Sequence, residues 1–285
     1  MSSVEGLFCV LNRDGRMDES VVLVKGGGDL GTGVVLRLFQ HDYRVVVTEL
    51  PQPLVVRRKV AVASAVYEEC VTIEGVEARR VQDIAGIRAT WAAGHVPVIV
   101  DPETRIAQKL RPYAVVDAIM AKRNAGTTIH DAPAVVALGP GFCAGVDCHA
   151  VVETQRGPKL GHVYFNGSTA PDSGAPGEIG GEAVRRVLRA PVDGSFVGWV
   201  RIGDLVRAGD VVGQVDGQPV TAAIPGVVRG LLTSGVAVRV GTKVGDVDPR
   251  GDPVLCSRVS DKAWKVADGV LEVLARLSQS SGVTR

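Results

Sequence analysis

Three glycines that follow an apolar run could bind a phosphate group. Gly26, Gly28 and Gly31 have G-x-G-x-x-G spacing between the run VVLVK (residues 21–25) and an amphipathic stretch. Because glycine has no Cβ, backbone N–H groups at such a turn can approach a phosphate, and the next helix N-terminus adds a positive dipole end. Glu49 closes the following apolar run about 20 residues on, where dinucleotide-binding folds place an acid against the ribose. The pattern predicts cofactor-binding roles for Gly26, Gly27, Gly28, Asp29, Gly31 and Glu49.

A second glycine turn, in GPGFCAGVDCHAVVETQRG, offers candidates for binding and for catalysis. The backbone at Gly139 and Gly141 can approach an anion closely, so both are predicted to contact the ligand. Asp147, His149 and Glu153 follow at alternating positions, which on a strand would share one face. An acid, an imidazole and a second acid suit proton transfer or metal ligation, and they are our candidate catalytic residues. The alternative is a strand whose polar face meets solvent, and the pattern favours neither.

Other polar residues give weaker indications of a metal-binding or phosphate-binding site. Cys143, Cys148 and His149 have C-x4-C-H spacing, which is not a usual zinc pattern, and no second thiol pair accompanies it, so no metal site is predicted. The basic run at residues 57–59 could cradle a phosphate, although a short basic run is more often a solvated face. Asp117 ends an apolar run, and its role is left open between ligand contact and loop entry.

Length and composition describe an ordinary soluble protein. The chain has 285 residues, of which 46% are hydrophobic and 22% charged, and its formal net charge is +1. This charge gives no general attraction to nucleic acid or to an anionic membrane. No apolar run approaches the roughly 18 residues that span a bilayer. Five cysteines, an odd number, fit reduced thiols in a cytoplasmic protein.

The elements that must position these residues form two unlike halves. In residues 20–166, short Val, Ile and Ala runs alternate with helix-like stretches, a pattern typical of parallel strands covered on both faces. We predict an α/β fold with a Rossmann-like, doubly wound parallel sheet, in which ligands bind beyond the strand ends. The predicted elements are helices at 81–93 and 102–110 and strands at 97–100, 113–118 and 134–138.

The second half contains a duplication. Glycines recur at a constant offset between valine-rich runs, so that Gly194 corresponds to Gly226 and Gly213 to Gly245. Two equal parts imply a compact duplicated all-β unit, and its amino-acid sequence resembles that of a biotinyl/lipoyl-like barrel-sandwich hybrid. The hairpin between the two copies, residues 216–221, has no lysine, so no covalent lipoyl or biotin group is expected.

The predicted organisation has five parts. They are a disordered leader (1–19), a Rossmann-like nucleotide-binding domain (20–166), a linker (167–185), a barrel-sandwich hybrid domain (186–252) and a C-terminal helix that packs back (253–285). The leader lacks the basic start and long apolar core of a secretory signal. In the C-terminal helix, Val266, Val270, Leu274 and Leu277 form one apolar face.

Several long motifs together resemble one family. They include VVLVKGGGDLGTGVVLRL, TELPQPLVVRR, GPGFCAGVDCHAVVETQRGPKLG and KVGDVDPRG. The chain is similar to the YqeB-type proteins of the selenium-dependent molybdenum hydroxylase system. The resemblance implies a cytoplasmic maturation factor for molybdoenzymes of the xanthine dehydrogenase type, with a Rossmann-like portion similar to XdhC chaperones. Asp147, His149 and Glu153 match the motif of the family that the chain resembles, whereas Cys148 stands where the family usually has an aliphatic residue.

The leading hypothesis is an accessory protein for molybdenum hydroxylase maturation. Its ligand would be a nucleotide or dinucleotide, either NAD(P)-like or a pyranopterin nucleotide, and its partner a molybdenum hydroxylase or its cofactor. An NAD(P)-dependent oxidoreductase and a non-catalytic scaffold are the alternatives. Against the oxidoreductase, the chain has no Tyr-x-x-x-Lys pair. No nucleic-acid or membrane partner is expected, and homo-oligomer formation and enzymatic activity are left open.

Overall fold

A computed structural model of the chain describes residues 21–280. The predicted disordered leader, residues 1–19, lies outside the described residues. Within residues 21–280 there is one sheet of nine strands and there are two sheets of four strands. The α-helices of this part of the chain are α1 (Asp29–Phe39), α2 (Ala65–Glu68), α3 (Ile84–Ala92), α4 (Ala107–Leu110) and α5 (Asp261–Ser280). None of them combines the length and the apolar character that crossing a bilayer requires.

The first half of the chain forms the nine-stranded sheet. Its strands are β1 (Val21–Lys25), β2 (Arg44–Glu49), β3 (Cys70–Ile73), β4 (Val76–Val81), β5 (Val96–Val100), β6 (Ala114–Asp117), β7 (Ala134–Leu138), β8 (Ala150–Val152) and β9 (Val163–Tyr164). Their order in space is β3-β4-β5-β2-β1-β6-β7-β8-β9, which places β1 at the centre. Neighbours from β4 to β8 are parallel, whereas the edge strands β3 and β9 run antiparallel to their neighbours.

Helices cover both faces of this sheet. Successive side chains of a strand point to opposite faces, so Val22 and Val24 lie on one face of β1 and Leu23 on the other. The Val22 face packs against α1 and α5, where Val270 is among the buried residues. The Leu23 face packs against α3 and α4, through residues such as Ile87. The core of the first half therefore has two apolar layers, one on each side of the sheet.

The predicted fold class, a Rossmann-like doubly wound parallel sheet with a barrel-sandwich hybrid domain, is wrong. A doubly wound sheet needs a helix in each crossover, but the connections from β6 to β7 and from β7 to β8 contain none. α5, which comes much later in the chain, covers that part of the sheet instead. The antiparallel edge strands also make the sheet mixed.

The second half forms two four-stranded antiparallel sheets. Its strands are β10 (Val187–Arg189), β11 (Gly194–Gly198), β12 (Leu205–Val206), β13 (Val211–Val215), β14 (Gln218–Thr221), β15 (Gly226–Leu231), β16 (Ala237–Val238) and β17 (Lys243–Asp248). The sheets have the orders β10-β17-β15-β12 and β14-β13-β11-β16, and no strand pairing in the described part of the chain joins them. This arrangement differs from the predicted barrel-sandwich hybrid. The duplication is visible, because β11 and β15, β12 and β16, and β13 and β17 hold matching positions in opposite sheets.

Several predicted elements are present with small shifts. α3, β5, β6 and β7 overlap their predicted ranges, whereas α4 covers only the last four residues of the helix predicted at 102–110. The β3–β4 hairpin is an element that the sequence reasoning missed. In α5, Val266, Val270 and Leu274 are buried and Leu277 is partly buried on the apolar face, as predicted. The predicted domain boundaries stay predictions.

α1 and α5 are in backbone contact. A Cβ at Gly33 in α1 would lie 2.7 Å from the carbonyl oxygen of Ala263 in α5. Polar groups surround this contact, since Arg37 pairs with Asp268 (2.8 Å) and its guanidinium lies 4.8 Å from the centre of the Trp264 ring. The two helices are therefore held closer than larger side chains at this point would allow.

Replacing Gly33 with alanine should destabilise the protein by about 1–3 kcal/mol, the usual range for overpacking a tight contact. Helix propensity alone favours alanine by about 1 kcal/mol, so a loss of stability would measure the contact itself. Urea titration gives the free energy of unfolding that checks this. Gly86→Ala in α3 is the control, because its Cβ would meet the Val81 side chain at no less than 3.2 Å. Equal effects of the two substitutions would contradict the prediction.

Candidate functional site

The three glycines of the turn between β1 and α1 meet three different demands. Gly26 has a φ of +90°, which L side chains rarely adopt, and its N–H donates to the Thr48 carbonyl (2.9 Å). A Cβ at Gly31 would overlap the Gly26 carbonyl oxygen, so α1 lies directly against the turn. A Cβ at Gly28 would meet nothing within 4 Å. The local backbone therefore requires Gly26 and Gly31, whereas Gly28 leaves open space.

The open space beside Gly28 lies at the N-terminus of α1. Gly28 is the N-cap residue in an extended conformation, and it makes no side-chain capping hydrogen bond. The first N–H groups of a helix have no partner inside the helix and carry the positive end of its dipole. Asp29 follows as the first helical residue, and Arg57 Nη1 donates to its Oδ1 (2.9 Å). An anion at this point would meet backbone donors beside an acid that already has a cationic partner.

Glu49 is bound to the glycine turn itself. Its Oε1 accepts from the Gly27 N–H (2.6 Å) and its Oε2 from the Leu50 N–H (3.0 Å). Burial raises the pKa of Glu49, and these two hydrogen bonds act in the opposite direction. Gly27 is also tightly packed, since a Cβ there would lie 2.7 Å from the Val62 side chain. Glu49 therefore fixes the turn, and a ribose contact would use the remaining lone pairs of the same carboxylate.

A buried polar network holds the loop after β6 on the sheet. Lys25 Nζ donates to Thr127 Oγ1 (3.0 Å) and to Asp131 Oδ2 (2.8 Å), and Thr127 Oγ1 donates to Asp117 Oδ2 (2.6 Å). Lys25, Thr127 and Asp117 are buried, so each polar group needs these partners. The network anchors a connection that has no helix of its own, and Asp117 has a structural role within it.

The second glycine turn is filled by the protein itself. A Cβ at Gly139 would lie 2.6 Å from Thr154 Oγ1, and one at Gly141 would lie 2.6 Å from the backbone of Arg123. Protein atoms thus occupy the space that a side chain would need at both glycines. The predicted ligand contacts of Gly139 and Gly141 stay predictions, and the structure gives both residues a role in close packing.

Asp147, His149 and Glu153 do not converge. β8 comprises only Ala150–Val152, so His149 directly precedes the strand and Glu153 directly follows it, at the other end of the strand. An extended chain advances about 3.3 Å per residue, which separates positions four apart by roughly 13 Å. The alternating spacing indicates a shared face, but it also places His149 and Glu153 too far apart to exchange a proton directly.

Each of these three residues has its own backbone partners instead. Asp147 Oδ2 accepts from the Cys143 N–H (2.8 Å), and the two oxygens of buried Glu153 accept from two backbone N–H groups (2.7 and 2.9 Å). His149 Nδ1 accepts from the Val135 N–H (3.0 Å). In the described part of the chain, no group of three or more His, Cys, Asp or Glu side chains is arranged to hold a metal ion. These contacts shape the local loops.

His149 lines a cleft of about 490 Å³ at the end of the sheet where β6, β7 and β8 begin. Arg111, His130 and Asp131 also line this cleft. Because Nδ1 of His149 accepts a hydrogen bond, the neutral ring carries its proton on Nε2. Burial lowers the pKa of His149, and nearby His130 lowers it further. His149 therefore presents a neutral donor to a surface separate from the turn.

Basic residues from later in the chain act on Asp29 at the N-terminus of α1. Arg229 on β15, Lys243 on β17 and Lys262 on α5 each interact electrostatically with Asp29. Burial lowers the pKa of Arg229, and the charge of Arg57 lowers it further. Burial is also the main cause of the lowered pKa of Lys262. Sequence reasoning missed all three, because one isolated basic residue in a strand or helix carries no local pattern.

The basic run at residues 57–59 joins the two halves of the chain. Arg57 is buried, and its Nη2 donates to the Arg258 carbonyl (2.9 Å). Arg58 Nε donates to the Leu231 carbonyl (2.7 Å) on β15. The third residue of the run is exposed. The run is thus neither an open phosphate cradle nor a wholly solvated face, because two of its side chains tie the first half to the second.

The fold and the site define an α/β protein whose glycine-rich turn meets basic residues of a β-rich second half. Over 257 residues the chain is 45% identical to a protein of Escherichia coli (strain K12) named Uncharacterized protein YqeB. The chain belongs to the YqeB family. The match covers 90% of this chain and 48% of the relative, so the chain spans about half of that relative's length. The match does not show the likeness to XdhC chaperones that the resemblance implied.

No protein-family model matches the chain. Among solved structures, an aspartoacylase family protein from Mesorhizobium loti is 13% identical, with 81% of this chain and 85% of that chain covered and a TM-score of 0.27. The ectoine utilization protein EutE (DoeB) from Ruegeria pomeroyi is 15% identical, with 80% and 57% covered and a TM-score of 0.21. Likenesses at these TM-scores carry no argument about this chain.

The Lys25–Asp131 pair should make stability depend on pH in the acid range. Burial alone would raise the pKa of Asp131, but the hydrogen bonds from Lys25 and Thr128 outweigh it, and the pKa lies below its ordinary value. Such a carboxylate stabilises the folded state above its unfolded pKa of about 3.9, and this stabilisation is lost as pH falls through the folded pKa. We therefore expect Asp131→Asn to be less stable than wild type at pH 7.

Asp131→Asn should also lose less of its unfolding free energy than wild type between about pH 5 and pH 2. Urea titrations at a series of pH values measure this slope. Asp268→Asn, which removes a more exposed partner of Arg37, is the control and should keep the wild-type slope. An Asp131→Asn slope equal to that of wild type would show that the pair does not contribute.

Proposed function

We propose that this chain is an accessory factor in the maturation of a selenium-dependent molybdenum hydroxylase. Membership of the YqeB family supports the pathway, because the resemblance implies that YqeB-type proteins serve this hydroxylase system. The proposed role is to bind a nucleotide or a nucleotide-bearing cofactor at the turn between β1 and α1. The proposed partner is the hydroxylase or its cofactor, and the proposed location is the cytoplasm.

The observation that carries the proposal is the open position at Gly28. In a G-x-G-x-x-G turn the first glycine makes the tight turn, the second lets a phosphate approach, and the third lets the helix pack closely. Gly26, Gly28 and Gly31 match these needs in that order, with a positive φ, open space and a close backbone contact. A purely structural turn would need glycine at the first and third positions only.

A helix N-terminus with open space beside it favours a phosphate group. Pyranopterin cofactors carry a phosphate that is often extended by a nucleotide, so they suit this turn as well as NAD(P) does. The candidate catalytic residues Asp147, His149 and Glu153 lie apart, so the proposal assigns binding to this chain and no reaction step.

Gly28→Asp should remove nucleotide binding while the protein stays folded. Aspartate is a favoured N-cap, so its carboxylate would take the helix N–H groups that a phosphate would otherwise bind, and it would add a negative charge. Isothermal titration of wild type with NAD, NADP, CTP and a pyranopterin nucleotide should show binding of at least one. Gly28→Asp should weaken that binding by roughly 100-fold, or about 2.7 kcal/mol.

Gly28→Asn is the matched control, because it has the same shape and is also an N-cap but carries no charge. It should weaken binding less than Gly28→Asp does, and thermal unfolding should give both variants a Tm near that of wild type. The proposal fails if wild type binds none of the four ligands. If the purified protein oxidised or reduced a substrate with NAD(P), the oxidoreductase alternative would replace the accessory role.

A further inference from the structure

The basic side chains where the two halves of the chain meet fall into a paired and a weakly paired group. The paired cations are Arg57 with Asp29, Arg156 with Asp261, Arg186 with Asp246, Arg250 with Asp248 and Lys243 with Asp246. Arg229 and Lys262 form the weakly paired group, because no hydrogen bond joins either side chain to another residue of the range 21–280 and Arg229 has only a 3.8 Å ion pair with Asp248. These two cations have donors that the protein does not use.

The evidence that a cation lacks a full set of partners is stronger for Arg229 than for Lys262. The residue is only 8% exposed, and its buried Nε has no hydrogen-bond partner. The carboxylate facing it is Asp248, whose Oδ2 lies 3.8 Å from Nε. That carboxylate already accepts from the Arg250 backbone N–H (3.1 Å) and from two atoms of its guanidinium (2.9 and 2.6 Å). A guanidinium cannot give up its proton, so a buried Nε–H without an acceptor is costly unless an anion binds it.

Both weakly paired cations interact electrostatically with Asp29 at the N-terminus of α1. Arg229 also interacts with Arg57, Asp246 and Asp248, and Lys262 with Arg156, Glu153 and Asp261. They come from different elements, β15 and the first turn of α5. The backbone contacts agree, because Gly230 packs on Val56 beside Arg57 and Ala263 packs on Gly33 of α1. Lys262 is half-buried, which strengthens its interaction with an anion compared with a fully solvated lysine.

We propose that Arg229 and Lys262 bind a second phosphate of the ligand whose first phosphate lies at Gly28. The ligand class is then a compound with a pyrophosphate, such as a nucleoside diphosphate or a dinucleotide, and not a nucleoside monophosphate. This inference rests on the proposed function, because it extends the same site. The Gly28 turn and the α1 N-terminus provide donors for one phosphate, and the two weakly paired cations provide charge for the next.

Titration with orthophosphate, pyrophosphate, CMP and CDP tests the inference. Wild type should bind pyrophosphate at least about 10-fold more tightly than orthophosphate, and CDP more tightly than CMP by a similar factor. Arg229→Gln and Lys262→Gln should each weaken pyrophosphate binding by about 10-fold and leave orthophosphate binding within about 2-fold. Arg239→Gln removes an exposed arginine of the same half and is the charge-matched control, which should bind like wild type.

The outcomes separate this inference from the proposed function. If wild type binds none of these compounds and none of the nucleotides, the proposed function fails and the inference fails with it. If binding is lost in Gly28→Asp but pyrophosphate affinity is unchanged in Arg229→Gln and Lys262→Gln, the inference alone is overturned. A lower Tm in Arg229→Gln together with a wild-type preference for pyrophosphate in Lys262→Gln would assign Arg229 a structural role and also overturn it.

Discussion

The close approach of α1 to backbone on two of its sides is the constraint on which the rest of the structure depends. Gly31 lies against the Gly26 carbonyl, and Gly33 lies against the Ala263 carbonyl. Residues two apart on a helix point about 200° away from each other, so the helix is held between the β1 turn and α5. This arrangement fixes the helix N-terminus relative to the strand ends, and it brings Lys262, the neighbour of Ala263, to the same place.

A similar contact positions the second half of the chain. A Cβ at Gly230 would lie 2.7 Å from the Val56 side chain, and the Leu231 N–H donates to the Val56 carbonyl (2.8 Å). Arg229 is the preceding residue, so the contact that joins the halves also places its guanidinium near α1. Arg229 and Lys262 are thus each adjacent in sequence to a residue in tight backbone contact, and rigid elements determine where they lie.

The sequence was informative where a local pattern has one physical cause. The glycine spacing, the apolar strands and the apolar face of α5 each follow from chain geometry, and the elements are present. The predicted fold class was wrong because a strand has the same apolar run of residues whether or not a helix follows it. No sequence pattern predicts that a polar network will replace a crossover helix between β6 and β7. The triad of Asp147, His149 and Glu153 failed to converge because periodicity fixes a face and not a distance.

The β10–β17 pairing has a consequence for how this chain is assembled. β10 and β17 are the first and last strands of the second half, and they lie side by side, with Val187 opposite Asp246. The chain then returns to the first half, where α5 packs on α1, β7, β8 and β9. The second half is therefore an insertion within one α/β unit, entering and leaving through neighbouring strands. An insertion of this kind can be gained, lost or exchanged during evolution without displacing the core around it.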